Sequence, residues 1–442
     1  MTTTDSVRAP AGTIVGRRDG RVRRFLGIPY AEIPVGVRRF AAPVRRGRFP
    51  EPYDASRHGA TAQVVPLFET TTIPEPSVPG EDVLNLGVVA PVDREGCPVL
   101  VWVHGGGFLA GSPASPWYDG RSFARDGVVC VTVGYRLGVD GFAPLDGVPA
   151  NLGLRDLLLA LDWVRDNIAA FGGDPDRVTL AGQSAGGAAV LALLSSPAAE
   201  GRFQRAVSLS GGFFEVAAVS TRGFLERLGN RLAVPPTRDG LARRTREQLQ
   251  RGVMDLRGAE ALVLGPSVGD DVLPVPVADG LAVHGHDVPL LLGATGDEFD
   301  GPTAPESARS AGTRLTDTLF RAACPRAAAA RRYAPAGTWL YSFEWPSPAT
   351  GGATHCIDIP FFYDVLDAPG VTEALGTDPP AELAASMHAD LVGFVHGEEP
   401  GWARATGTRG DPAREYGRPG AALAADTTGV FDPVGRTEVE AC

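Results

Sequence analysis

The amino-acid sequence predicts an α/β fold, with a mostly parallel central sheet and helices on both faces. Three observations lead there. From residue 98 onward, short runs rich in β-branched residues alternate with helical patterns, the order that builds a parallel sheet. One of those patterns, between Leu154 and Ile168, has a sustained apolar face. The sequence Gly182-Gln183-Ser184-Ala185-Gly186 also sits between a strand and a helix.

The first hundred residues mix short β-rich pieces with proline-containing loops, as in GRVRRFLGIPYAEIPVG. Pro98 to Val103 (PVLVWV) reads as a buried strand that ends at glycines, and Val128 to Val133 (VVCVTV) as a second. Leu154, Leu157, Leu158, Leu161, Val164 and Ile168 follow helical spacing, with Arg155, Asp162 and Arg165 on other faces. FGGDPD then ends that helix with glycine and proline. Val178 to Ala181 begins another strand, and Ala188 to Leu194 reads as helix. Further strands are expected at Ala206 to Leu209, Pro289 to Ala294 and Trp339 to Phe343. Arginine-rich helical patterns fill about 220 to 252, and Ala381 to Val395 is a late amphipathic helix. No repeat, heptad run or linker divides the chain, so residues 1–442 are expected to form a single domain.

Bulk properties narrow the function. The 442 residues are 44% apolar and 21% charged, enough for a substantial core. The formal charge is -11, which repels phosphate backbones and anionic lipid, so neither nucleic-acid nor membrane-surface binding is expected. Every basic residue is Arg, which fits the coding bias of a GC-rich genome. MTTTDSVRAP lacks the basic and apolar segments of a secretory signal, and no stretch approaches a transmembrane span. Cys97, Cys130, Cys324, Cys356 and Cys442 are scattered, odd in number and without zinc-type spacing. They are expected to be reduced thiols in a cytoplasmic protein.

Chemistry enters at Ser184. The segment RVTLAGQSAGGAAVLALL supplies the strand, turn and helix that a nucleophilic serine in Gly-x-Ser-x-Gly requires. The turn must lift the hydroxyl off the strand end, so its flanking positions cannot carry bulk. The following helix points N–H groups and positive dipole at the same place. A plain Gly-Ser turn between strand and helix is the alternative. Upstream, His104-Gly105-Gly106-Gly107-Phe108 follows a strand directly. Its glycines leave bare N–H groups able to approach a developing oxyanion, and such loops accompany Gly-x-Ser-x-Gly in lipases and esterases. A phosphate loop is the competing reading, but it calls for a lysine or an immediate helix, and neither follows. Gly106, Gly107 and Ala185 are the expected oxyanion donors.

With both motifs, the chain resembles the type-B carboxylesterases, the family that includes the cholinesterases, and therefore an α/β-hydrolase fold. FLGIPYAEIPVGVRRFAAPV, GEDVLNLGVVAP, VWVHGGGFLAG, VTVGYRLGVDGF and NLGLRDLLLALDWVRDNIAAFGGDPDRVTLAGQSAGG follow in the family's order and spacing. The family places its acid in an Asp-Glu-Gly sequence after a strand; here LLLGATGDEFD offers Glu298, with Asp297 and Asp300 beside it and Phe299 in place of glycine. Its histidine lies in Gly-Ala-x-His, matched by Gly352-Ala353-Thr354-His355. The remaining histidines belong to the glycine loop (His104), to polar surroundings (His58, His284, His286) or to a helix (His388, His396).

The resemblance implies a serine carboxylesterase in which Ser184 attacks a small-molecule ester, His355 is the general base and Glu298 orients it, without metal or organic cofactor. Three departures stand out. Gln183 occupies a position usually held by Glu, which implies a less stabilised imidazolium. Val83 stands where a disulfide cysteine is frequent. The Glu298–His355 interval is short, which implies a reduced helical cap and a more open site. Phe108 is a candidate for the acyl pocket, with plain core as its alternative, and Ser210 for the catalytic network, with a loop serine preferred. Competing functions are an acyltransferase or a carbamate or amide hydrolase using the same triad. A non-catalytic cholinesterase-like binding protein is the remaining alternative, against which the retained Ser and His count.

Overall fold

The computed structural model describes residues 2–67, 71–258, 262–299 and 312–432. Its strands are β1 (Thr2–Ala9), β2 (Gly12–Asp19), β3 (Val22–Pro29), β4 (Tyr53–Asp54), β5 (Asn85–Pro91), β6 (Cys97–Val103) and β7 (Val129–Val133). They continue as β8 (Gly173–Gln183), β9 (Arg205–Leu209), β10 (Leu290–Thr295), β11 (Thr338–Phe343), β12 (Pro412–Tyr416) and β13 (Ala424–Thr428). All join one sheet in the order β1-β2-β3-β5-β7-β6-β8-β9-β10-β11-β12-β13, with β4 paired to β2. From β7 to β12 every pairing is parallel, whereas the flanking pairs β1-β2, β2-β3, β3-β5, β5-β7 and β12-β13 are antiparallel. This is the α/β-hydrolase fold.

The central strands read as continuous apolar runs because both of their faces are covered. In β6 every residue is buried. Alternate side chains feed different layers, as the pleat requires. Val99, Val101 and Val103 join a core that includes the helices α1 (Leu152–Asn167) and α2 (Ala185–Leu194), through Leu154, Leu157, Leu161 and Val190. Leu100 and Trp102 face a second core with Leu383, Met387, Leu391 and Phe394 of the late helix Ala381–His396.

The strands expected at 98–103, 128–133, 206–209, 289–294 and 339–343 form within one residue of their expected ends. The arginine-rich helical patterns of 220–252 form the helices Ala218–Leu232 and Arg246–Arg257, with the short helix Arg238–Leu241 between them. Pro235-Pro236 follows the first of these, and Thr245 with Gln248 builds a capping box that starts the last. The terminal strands β12 and β13 were not anticipated; Pro412 and the polar pattern ADTT disguise an antiparallel edge.

One buried ion pair fixes the loop after β7 to α1. Arg136 reaches Asp156 by two side-chain bonds, at 2.8 and 2.7 Å, and its backbone N–H donates to the same carboxylate at 3.0 Å. Asp156 is fully buried. Asp156→Ala would strand the guanidinium without its counter-ion, so a loss of about 3–5 kcal/mol in unfolding free energy is expected. Denaturation by urea would measure it, and a loss below about 1 kcal/mol would show that water reaches Arg136 instead.

Candidate active site

Ser184 follows β8 directly with φ 56° and ψ -124°, a conformation that a non-glycine residue rarely adopts. The turn is held by the Ser184 N–H, which donates to Leu209 O at 2.9 Å. The two motif glycines are needed for packing. A Cβ on Gly182 would lie 2.6 Å from Gly186 C, and one on Gly186 would lie 2.0 Å from Val103 O. The serine is thus lifted above a crossing too tight for any side chain, and α2 begins at the next residue.

Glu298 and His355 come from loops beyond the C-terminal ends of β10 and β11, which lie parallel to β8 within the sheet. The three loops therefore meet at one sheet edge. His355 Nε2 lies 2.9 Å from Ser184 Oγ, and His355 Nδ1 is hydrogen-bonded to Glu298 Oε2. Glu298 is 2% exposed, and its Oε1 accepts from Thr295 N at 2.9 Å. Its backbone oxygen accepts from His355 N at 2.9 Å. Asp297 has a different job: its backbone pairs with Ala353, and its Oδ2 accepts from Ala353 N at 2.8 Å, clamping the histidine loop. Asp300 lies outside the described residues.

Phe299, in the position of the family's glycine, stacks on the His355 ring at 4.8 Å, and Phe320 lies against it at 4.9 Å. Burial opposes the imidazolium, but the Cys356 sulfur and the Glu298 carboxylate favour it, and the net direction is well up. Burial also pushes the Cys356 thiol up, so at neutral pH it carries no charge and Glu298 is the effective partner.

Gly106 (φ 106°), Gly107 (φ 60°) and Phe108 (φ 60°) form a left-handed run after β6. A Cβ on Gly106 would meet Ala110 O at 2.2 Å. The N–H groups of Gly106, Gly107 and Ala185 make no hydrogen bond to other described residues. His104 supports the loop from below, stacked on Tyr135, whose hydroxyl donates to His104 O at 3.0 Å. Burial pushes His104 down to about 4, so it is neutral there.

Gly106, Gly107, Ser184 and His355 line one cavity of about 480 Å³, otherwise mostly apolar. Phe108 is not in its wall: the ring is fully buried, 4.7 Å from Phe142. The left-handed turn swings that side chain into the core, while Phe214 and Phe320 supply aromatic wall. Ser210 is buried just after β9, and its Oγ has no partner among the described residues. Gln183 Nε2 lies 3.3 Å from His355 Nε2 and donates to Cys356 Sγ at 3.0 Å. Contacts of Phe299, Phe320 and Cys356 with the site escaped sequence reasoning, although Phe299 and Cys356 adjoin residues it had singled out. Among the described residues no cluster of His, Cys, Asp or Glu could hold a metal ion, and no helix is long and apolar enough to cross a membrane.

An α/β-hydrolase with a serine, a histidine and a carboxylate in hydrogen-bonded line is the architecture of acyl-transferring hydrolases. The model of the carboxylesterase family matches residues 3–309, and the chain belongs to that family. It is 34% identical over 438 residues to a para-nitrobenzyl esterase of Bacillus subtilis (strain 168), covering 87% of this chain and 88% of that protein. A phenmedipham hydrolase of Pseudarthrobacter oxydans is 30% identical over 476 residues, covering 90% and 91%. Among solved structures, a carboxylesterase of Geobacillus stearothermophilus superposes with TM-score 0.83 at 31% identity, over 98% of both chains. A PNB esterase superposes with TM-score 0.86 at 28% identity, over 96% of this chain and 97% of that one. The protein is a carboxylic ester hydrolase of the type-B carboxylesterase kind.

Proposed function

We propose that this chain hydrolyses small-molecule carboxylic esters through an acyl-enzyme on Ser184, with His355 as general base and Glu298 as its orienting acid. The observation that carries the reading is the continuous line from Ser184 Oγ through His355 to Glu298. Ser184 Oγ attacks the ester carbonyl as its proton passes to His355 Nε2. The tetrahedral oxyanion is met by the N–H groups of Gly106, Gly107 and Ala185, which have no other partner among the described residues to give up. His355 then protonates the leaving alcohol. Water repeats the sequence at the acyl carbon, releasing the acid and restoring the serine.

The 1–442 chain acts as one catalytic domain in this reading, because all three residues rest on the same sheet. The unpaired, buried thiols of Cys97, Cys130, Cys324 and Cys356 support a reducing, cytoplasmic setting. Hydrolysis of p-nitrophenyl acetate, butyrate and octanoate by the wild type beside Ser184→Ala tests the reading. A folded wild type inert on all three would overturn it.

Gln183 gives a separate check on the base. Its amide nitrogen faces His355 Nε2, so a donor stands where a positive charge develops. Gln183→Glu replaces that donor by a carboxylate, which stabilises the imidazolium. His355 must be neutral to act, so the acidic limb of kcat/KM is expected to move to higher pH by roughly one unit. A limb that stays put or falls would contradict the assignment of His355 as base.

A further inference from the structure

The hydrolytic line holds the imidazole of His355 only by its edge. Nδ1 is bonded to Glu298 Oε2, and Nε2 to Ser184 Oγ at 2.9 Å. These bonds leave from nearly opposite sides of the ring, so a tilt about the line joining the two nitrogens costs them little. Whatever resists the tilt must press on the faces. Phe299 does so: its ring centroid lies 4.8 Å from that of the imidazole, with 30° between the planes. Phe320 meets the imidazole more obliquely, at 4.9 Å and 58°, and lies 5.5 Å from Phe299.

Both rings are fixed by one short segment. The Phe299 N–H donates to Thr316 Oγ1 at 3.1 Å. Thr316 begins a π-helical turn, Thr316–Arg321, in which the Ala322 N–H reaches back to Asp317 O at 3.0 Å. Such wide turns are rare and frequent at functional sites. Phe320 stands on the same turn, buried and braced edge-on by Phe214 at 5.3 Å. Phe299 itself is 39% exposed and forms cavity wall, so burial of its own ring explains its place only in part.

We propose that Phe299 is a positioning residue for the base: its ring holds the imidazole in line with Ser184 and stabilises the imidazolium that forms as the serine proton is taken. This rests on His355 acting as the general base. A cation over an aromatic face is attracted by the π electrons. That attraction is absent while the imidazole is neutral, so it grows toward the transition state and shows in kcat rather than in KM. An aliphatic side chain of similar size keeps the wall and loses the attraction.

Other ionisable groups around the imidazole are Glu298, Cys356 and Asp358, with Glu75 and Arg257 in the cavity wall. Arg321, on the π-helical turn, is committed to Thr295 O and Val430 O. Burial pushes Asp358 and Glu75 each up to about 7, so both titrate in the working range. They are common to every Phe299 variant, and a difference between variants therefore reads the ring.

The test is the pH profile of kcat/KM on p-nitrophenyl butyrate for the wild type, Phe299→Leu and Phe299→Tyr. Phe299→Leu is expected to move the acidic limb to lower pH by about half a unit, because the imidazolium is less stabilised. Above the limb its kcat should fall roughly tenfold with KM changed less than about threefold, since the ring is no longer held in line. Phe299→Tyr keeps an aromatic face and should restore both. Phe214→Leu alters the same wall through a ring that meets Phe320, and should change KM while leaving the limb in place. In the wild type, the ring current of Phe299 should shift the His355 Cε1–H resonance upfield in proton NMR, with His355→Gln for assignment.

An acidic limb that stays put in Phe299→Leu, or a change confined to KM, would overturn the inference and leave the esterase reading intact. So would a tyrosine variant that behaves like the leucine one, or a limb that moves as far in Phe214→Leu. An unshifted His355 resonance would overturn it even if the leucine variant failed to fold. A folded wild type inert on p-nitrophenyl butyrate would instead overturn the hydrolytic reading beneath it.

Discussion

Replacing Ser184 by alanine is expected to lower kcat on p-nitrophenyl butyrate by about four to six orders of magnitude, with KM changed only a few-fold. The asymmetry follows from what the hydroxyl does. It contributes little to holding the ester, because the cavity around it is mostly apolar wall. In the proposed mechanism it is the atom that forms the new bond, so its loss removes the covalent route altogether. The variant should fold normally, since alanine needs no more room in the same left-handed turn and the Ser184 N–H bond to Leu209 O is retained. The residue of activity would come from the N–H groups of Gly106, Gly107 and Ala185 acting on a bound water. Burst kinetics sharpen the test: the wild type should release p-nitrophenol in a burst matching enzyme concentration where deacylation is slow, and the alanine variant none. A variant keeping more than about 1% of wild-type kcat would mean that another group is the nucleophile.

Glu298→Gln is expected to cost about three to four orders of magnitude in kcat through the tautomer of His355 rather than through charge alone. Glu298 accepts two hydrogen bonds, from His355 Nδ1–H at one oxygen and from Thr295 N–H at the other. Glutamine can accept only one of them. If its oxygen keeps Thr295, its amide nitrogen donates to His355 Nδ1, the imidazole proton moves to Nε2, and Nε2 no longer accepts the Ser184 proton. If its oxygen keeps His355, two donors collide at Thr295. The first outcome is cheaper because a histidine can change tautomer and a backbone amide cannot. Glu298→Asp retains the acceptors at a shorter reach and should lose less. A Gln variant within tenfold of the wild type would sink the assignment of Glu298 as the orienting acid.

Much of this is legible in the sequence, for reasons particular to each segment. β6, β7 and α1 announce themselves because burial on one or both faces writes an apolar pattern into the chain. The turn at Ser184 is legible because Gly182 and Gly186 admit no Cβ, so the geometry forces the residue type. The acid was less so: Asp297 and Glu298 adjoin, and only backbone pairing with Ala353 sends one to the loop and the other to the histidine. Phe108 was offered for the pocket, yet its positive φ turns the ring into the core. Local sequence does not encode that swing.

The sheet order has a consequence for how the molecule is made. β9 is complete at Leu209, but its partner β10 begins only at Leu290. During synthesis the growing protein must carry Val207 and Leu209 on an unpaired strand edge while the intervening helices emerge. Such an edge recruits other unfinished chains, so holding factors that shield it on the ribosome should raise the soluble yield more than slower heating or gentler buffers do afterwards. The proposed hydrolytic line also spans β8, β10 and β11, so on that proposal a nascent fragment ending before His355 is expected to cleave no ester, and activity is expected only in the nearly finished chain.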